Sequence, residues 1–266
     1  MAPVGHQMQV GVFPTKMEMA RASATKAADL LKDAIARRGR ATFVAATGSS
    51  QLEFLHALTS TGGIDWSSTT MFHLDEYIGL PETHPAAFRR YLKEHIVDRV
   101  HPGTVHLIQG DARDPRSECE RLERLIGGHE VDVAFVGVGE NGHLAFNDPP
   151  ADFEVEDAYI LVELDEACRR QQVGEGWFAS LGDVPHRAIS MSVKQIMRSR
   201  AIICTVPDRR KAQAVHDCFH GGVTPSHPAS VLSRHPGTQL FLDAEAASLL
   251  VQQNPSGLGE GRHEED

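Results

Sequence analysis

Val131–Pro150, VDVAFVGVGENGHLAFNDPP, is the stretch on which the fold of this chain turns. Its opening, VDVAFVGV, is a short apolar run rich in branched side chains, as expected of a strand buried on both faces of a parallel sheet. The run breaks into Gly137-Val138-Gly139-Glu140-Asn141-Gly142, with His143 immediately after and Asp148 further along the same loop. Glycines at a strand end permit a sharp turn and a close approach of ligand to backbone. Open parallel sheets bind ligands outside the carboxyl ends of their strands, so this loop marks a site.

The loop matches G-x-G-x-x-G after a strand, and Glu163 follows at about the 20-residue spacing where a dinucleotide site places its ribose partner. Such a site needs a helix that starts at the third glycine and turns its N-terminus to the pyrophosphate. Here HLAFNDPP follows, and Pro149-Pro150 stops a helix within two turns. The context argues against a nicotinamide cofactor.

Outward from the loop, strand and helix signals alternate. Apolar positions at helical spacing (Ala20, Ala24, Ala27, Leu31, Ala34, Ile35) predict a helix over residues 15–38, and a strand over 42–46 runs into Thr47-Gly48-Ser49-Ser50. Leu52, Phe54, Leu55 and Leu58 then predict a helix, which makes the small-residue loop either an anion cradle or an ordinary turn capped by Ser50. A strand over 69–74 ends in Asp75-Glu76-Tyr77, and helices are expected over 88–100 and 115–126. Beyond the loop come a strand at 159–164, a polar, glycine-containing segment at 165–185 that reads as a partly helical lid, strands at 188–191 and 201–206, a helix over 209–218, a strand at 239–242 and a helix over 244–251. The fold class is therefore α/β: a single-domain, doubly wound, mostly parallel, Rossmann-like sheet over residues 1–252, with a polar disordered tail at 253–266.

Composition narrows the function. The 266 residues are 41% hydrophobic and 23% charged, with a formal charge of −10 and no Lys/Arg cluster of the size a nucleic-acid footprint requires. A phosphate would be held by a few local donors. Four scattered cysteines without a CxxC pair suit a reducing cytoplasm. No apolar run approaches the ~18 residues of a membrane span, and the N-terminus lacks the pattern of a signal peptide. Among fifteen histidines, His216 and His220 share an i, i+4 spacing, but Asp217 stands where HExxH requires Glu, so no metal is expected.

Asp75, His143 and Asp148 remain as an acid–base set. A histidine titrating near neutrality suits the opening of a sugar ring, and a carboxylate beside it would hold the imidazole. A carboxylate at another strand end could move a proton between adjacent carbons. Each of these residues, taken singly, also has an ordinary structural reading.

FHLDEYIGLP (Phe72 to Pro81) and GVGENGHLAFNDPP (Gly137 to Pro150) resemble the two signature segments of glucosamine-6-phosphate deaminases, with HPASVLSRHP (His227 to Pro236) as a further likeness. The resemblance runs from about residue 40 to 250. It implies conversion of glucosamine 6-phosphate and water to fructose 6-phosphate and ammonia without a cofactor. By the same resemblance His143 opens the ring with the help of Asn141 and Asp148, and Asp75 is the base that moves the C2 proton to C1. Thr47, Gly48, Ser49 and Lys211 hold the phosphate. Assembly and allosteric control vary within the family, so a homo-oligomer is compatible with it.

The chain departs from the family in having Asn141 where some members carry Asp, Asp148 where Glu is usual, and GEGWF where some place a phosphate-binding arginine before the aromatic pair. Arg169 and Arg170 are the candidates to replace that arginine. Related 6-phosphogluconolactonases share a G-x-G-x-x-G-H segment but lack AFNDP and DEYIGLP, and stand as the second reading. Beside it stand a deaminase of another amino-sugar phosphate and a non-catalytic sugar-phosphate-binding protein.

Overall fold

The computed structural model describes residues 8–250, and the tail expected at 253–266 lies outside them. In chain order the strands are β1 (Gln9–Phe13), β2 (Ala41–Ala45), β3 (Thr69–His73), β4 (Asp75–Tyr77), β5 (Thr104–His106), β6 (Val133–Val136), β7 (Tyr159–Glu163), β8 (Arg187–Met191), β9 (Ala201–Val206) and β10 (Thr238–Asp243). The helices are α1 (Lys16–Arg38), α2 (Leu52–Thr59), α3 (Phe88–Leu92), α4 (Asp98–Val100), α5 (Pro115–Ile126), α6 (Glu166–Gly174), α7 (Val193–Met197) and α8 (Ala212–His220), with a widened π-turn joining α3 to α4.

Seven strands form a parallel sheet in the order β1-β10-β9-β6-β2-β3-β5. The chain runs outward from β2 to β3 and β5, then returns to place β6 on the other side of β2. The carboxyl ends of β2 and β6 thus flank the switch point at which such sheets bind ligands. Both strands are fully buried, which explains why their sequences are continuous apolar runs rather than alternating ones.

Local chemistry sets the flanking helices. Thr15 caps α1 by accepting from the Glu18 N–H and donating to its carboxylate, while Gly39 closes the other end in the left-handed region. The buried face of α1 is mostly alanine, so the helix backbone lies close to the sheet. Asp114 caps α5, with Pro115 at its first position.

Three expectations need correction. The strands at 159–164 and 188–191 do not extend the main sheet. They form a separate antiparallel sheet, ordered β4-β8-β7, because the chain leaves β3 at Leu74 and re-pairs at once as β4. The first strand is β1, not β2. Its Val10 and Val12 are about half exposed at the sheet edge, so no apolar run announces it, and its partner β10 lies at the far end of the sequence. Residues 244–250 are turns rather than helix. After one i→i−4 bond at Ala247, Ser248 and Leu250 close on i→i−3 bonds, and Asp243 is engaged by the N–H groups of both Asp208 and Ala246.

Candidate active site

One pocket gathers the carboxyl ends of the central strands. Its lining includes Thr47, Gly48 and Ser50 after β2, Leu74 and Asp75 after β3, Gly137, Val138, Gly139 and His143 after β6, and Lys211 after β9. The lid contributes Gln171, Gln172 and Glu175. Residues from five separate segments therefore meet in one place, among them the expected Thr47, Gly48, Asp75, His143 and Lys211.

Asp75 is 6% exposed, at the point where the chain passes from one sheet to the other. No side chain or amide among the described residues donates to its carboxylate, and burial, reinforced by the charge of Glu76, pushes its pKa up to about 8. Glu76, alternating to the opposite side of β4, accepts N–H bonds from Tyr77, Phe88 and Arg89 at 2.7–3.1 Å. Glu76 thus anchors the segment that starts α3, while Asp75 is left free to face the pocket. Burial also raises Glu76 to about 7, against the pull of these bonds and of Arg89.

His143 stands over the glycine loop. A Cβ on Gly139 would come within 2.3 Å of the imidazole, so only glycine lets this ring lie against its own loop. Asn141 and Asp148 lie behind the ring instead of lining the pocket. The Asn141 Oδ1 accepts from the His143 backbone N–H at 3.1 Å, and the Asp148 Oδ1 lies 3.2 Å from Nδ1. That Nδ1 contact is not aligned as a hydrogen bond, and it becomes an ion pair when the ring takes a proton. The Asn141 amide donates to both Asp148 at 3.2 Å and Asp165 at 3.1 Å, holding two carboxylates side by side. Burial opposes the charge of Asp148, yet His143, the Asp165 N–H and Asn141 together keep its pKa below the ordinary value.

The two prolines act as the sequence requires. After Gly142 the chain makes a tight bridge between Leu144 and Asn147 and no helix, with a cis bond between Pro149 and Pro150. Asn147 and Ser190, both buried, pin this loop to β8: Ser190 Oγ accepts from the Phe146 N–H at 3.1 Å, and Asn147 Nδ2 donates to the Met191 carbonyl at 2.9 Å. Glu163 is exposed at the end of β7 in the second sheet, away from the ribose position that a dinucleotide site would need.

Lys211, also on the pocket lining, is 3% exposed, in a tight turn that leads into α8. Burial lowers its pKa, with Glu175 opposing that shift. Ser49 presents its amide at the start of the turn that leads into α2, and Tyr91 Oη donates to the Gly48 carbonyl at 3.0 Å. The proposed replacements for the missing arginine do not reach this cradle. Arg169 is buried inside the lid, donating to the Leu181 and Val184 carbonyls at 2.6 and 3.1 Å, and Arg170 is exposed and paired with Glu166. Glu175 is there instead. Nothing in the spacing of GEGWF pointed to that, beyond the absence of arginine itself.

His216 and His220 stack on the rim of α8 at 5.0 Å, with His216 against Asp217. His143, Asp148 and Cys168 bring one ligand-type atom each within 4.8 Å of one another. Burial first, and then the nearby Asp148 and Asp165 carboxylates, hold the Cys168 thiol well above its usual pKa.

A family model described as glucosamine-6-phosphate isomerases/6-phosphogluconolactonase matches residues 14–241. The chain belongs to this family. It is 36% identical over 219 residues to a glucosamine-6-phosphate deaminase of Exiguobacterium sp., covering 82% of this chain and 84% of that protein. It is 36% identical over 222 residues to one from Streptococcus pneumoniae, covering 84% and 92%. Among solved structures, a monomeric glucosamine-6-phosphate deaminase superposes with a TM-score of 0.84 at 29% identity, over 91% of this chain and all of that one. A 6-phosphogluconolactonase from Trypanosoma brucei shares the fold, with a TM-score of 0.77 at 15% identity over 92% of this chain and all of that one. No described helix is long and apolar enough to cross a membrane.

Proposed function

We propose that this protein is an isomerising deaminase that converts glucosamine 6-phosphate and water to fructose 6-phosphate and ammonia. The observation that carries the reading is the meeting of Asp75 and His143 in one pocket with Thr47, Gly48 and Lys211. A sugar phosphate spanning the pocket would present its phosphate to the loop amides, hydroxyls and one ammonium, and its C1–C2 end to Asp75.

In this reading His143 moves a proton from the anomeric hydroxyl to the ring oxygen, opening the sugar to an aldehyde. Asp148 stabilises the charge that the imidazole carries between these transfers, and Asn141 fixes the loop. The aldehyde acidifies the C2 proton, which the Asp75 carboxylate removes. The electron pair passes into a C1–C2 enolamine as a proton of the substrate's ammonium moves to the C1 oxygen, and the proton held by Asp75 is returned to C1. A pKa of about 8 suits this shuttle, since the ionised carboxylate is a stronger base than an exposed aspartate and the acid can give the proton back. The product is an imine at C2. Water adds to it, the C–N bond breaks, and ammonia leaves with the ketone of fructose 6-phosphate behind.

Every step is a proton transfer, a hydration or the C–N cleavage that follows it, so the chemistry calls for no cofactor or metal. The four free, buried cysteines support a reducing cytoplasm as the compartment. The partner in this reading is a small-molecule sugar phosphate, with no nucleic acid or membrane, and a homo-oligomer is compatible with it. The test is direct: purified protein with glucosamine 6-phosphate should release ammonia and form fructose 6-phosphate in equal amounts. Hydrolysis of 6-phosphogluconolactone with no ammonia release would replace this reading with the lactonase one.

A further inference from the structure

An anion already sits where the substrate's phosphate would go. Glu175 follows α6, and its buried carboxylate enters the cradle: Oε2 accepts from the Ser49 N–H at 3.4 Å and from Trp177 Nε1 at 3.2 Å. Its Oε1 accepts from Gln171 at 2.8 Å and lies 3.8 Å from Lys211 Nζ. These partners, Lys211 above all, keep the carboxylate ionised although burial acts against its charge.

We propose that Glu175 is a built-in anion that fills the phosphate cradle of the empty protein and must leave it when a phosphate-bearing ligand enters, so that it sets the specificity of that end of the site. The proposal deepens the deaminase reading, from which it takes the phosphate as the ligand.

Charge balance requires the exchange. Lys211 is a buried ammonium with no hydrogen bond among the described residues, and Glu175 is its counter-ion at 3.8 Å. The neighbouring Arg210 is turned outward, 3.4 Å from Glu140. A phosphate dianion and a carboxylate cannot both be neutralised by one ammonium in a buried pocket. The chain provides for movement, since Glu175 lies between Gly174 and Gly176. Gly176 has a φ of 83° and no atom within 4 Å of where a Cβ would point, so the backbone can swing there without crowding. Helix α6 need not move with it, because Asp165 caps its start and the Tyr77 hydroxyl holds Gln172 at 2.7 Å.

Trp177 makes the exchange visible. Its indole N–H is bonded to Glu175, whereas Trp66, the other tryptophan, is half-buried and packs edge-on against the core residue Phe43. In a Trp66→Phe background, inorganic phosphate should change the Trp177 emission as it binds. Glu175→Gln and Glu175→Ala should bind inorganic phosphate about tenfold more tightly or better by calorimetry, and should lower KM for glucosamine 6-phosphate in the same sense.

Calorimetric binding of phosphate without any change in Trp177 emission overturns the proposal without recourse to a Glu175 variant. Phosphate affinity that is unchanged or weaker in folded Glu175→Gln overturns it, as does failure of both wild type and variant to bind phosphate. Phosphate binding is read without turnover. A protein that shows the exchange but releases no ammonia keeps Glu175 in this role and loses the deaminase reading, while one that deaminates with no gain in phosphate affinity does the reverse.

Discussion

Asp75 carries the sharpest consequence at the scale of a single residue. Burial and Glu76 leave its acid form dominant at neutral pH, with a pKa of about 8, whereas the proposed base is the ionised form. For the free enzyme, kcat/KM for glucosamine 6-phosphate should therefore rise roughly tenfold per pH unit below about 8 and level off above it, once the substrate's own titration is allowed for. A profile that is flat from pH 6 to 9 would remove Asp75 as the base. Asp75→Asn should keep inorganic phosphate binding and lose about 10²–10⁴-fold in kcat. Asn141 makes a different prediction. Its amide separates the carboxylates of Asp148 and Asp165, so Asn141→Asp would set a third carboxylate against two. That variant should lose about 1–3 kcal/mol of stability at pH 8 by urea denaturation. The repulsion needs ionised carboxylates, so the loss should shrink as pH falls through the carboxylate range. An equal loss at pH 5 and pH 8 would mean that charge is not its cause.

Among the elements, legibility followed the range of the interactions that build them. Strands β2, β6 and β9 were readable because burial on both faces leaves a continuous apolar run, and α1 because its alanine face and caps are local. Strand β1 was not, since one β10 neighbour and a half-exposed edge leave no signature in five residues. The second sheet was hidden for a related reason: nothing local in Asp75-Glu76-Tyr77 reveals that the next hydrogen-bond partner is β8 rather than a continuation of β3. The structure brings Asp75 and His143, read from the chemistry of their residue types, and Lys211, read from the family resemblance, to the lining of one pocket. The site was illegible in the lid, where Arg169 is the kind of residue that binds phosphate and yet serves as an internal staple. Arg169→Met should leave the Leu181 and Val184 carbonyls unpaired, at a cost of about 1–3 kcal/mol confined to the lid. Limited proteolysis should then cut within residues 165–185 several-fold faster than in wild type, at unchanged rates elsewhere. Uniform acceleration along the chain would point to global rather than lid destabilisation.

At the scale of the whole molecule, the parallel sheet brings titratable groups from distant segments to one buried point, and this arrangement costs stability. Asp75 ionises near 3.8 when solvated and near 8 when folded, so between those values the unfolded chain has released a proton that the folded chain retains. The folded protein then binds more protons than the unfolded one, and stability contributed at this residue falls as pH rises from about 4 to about 8, with no further loss above that. His73 pulls the other way at lower pH. Burial first, and then Arg89, depress its pKa to about 3, so protonation of the unfolded chain lowers stability as pH drops below about 6.5. Asp75→Asn removes the first effect while leaving the second. The variant should therefore melt higher than wild type by about 2–4 °C at pH 8 for each kcal/mol relieved, with the gap closing toward pH 4. This gain should accompany the loss of turnover, because the same desolvation makes Asp75 both a strong base and a poor neighbour. Scanning calorimetry at pH 4.5, 6 and 8 decides it: a variant that melts at or below the wild-type temperature throughout would show that the buried carboxylate carries no such cost.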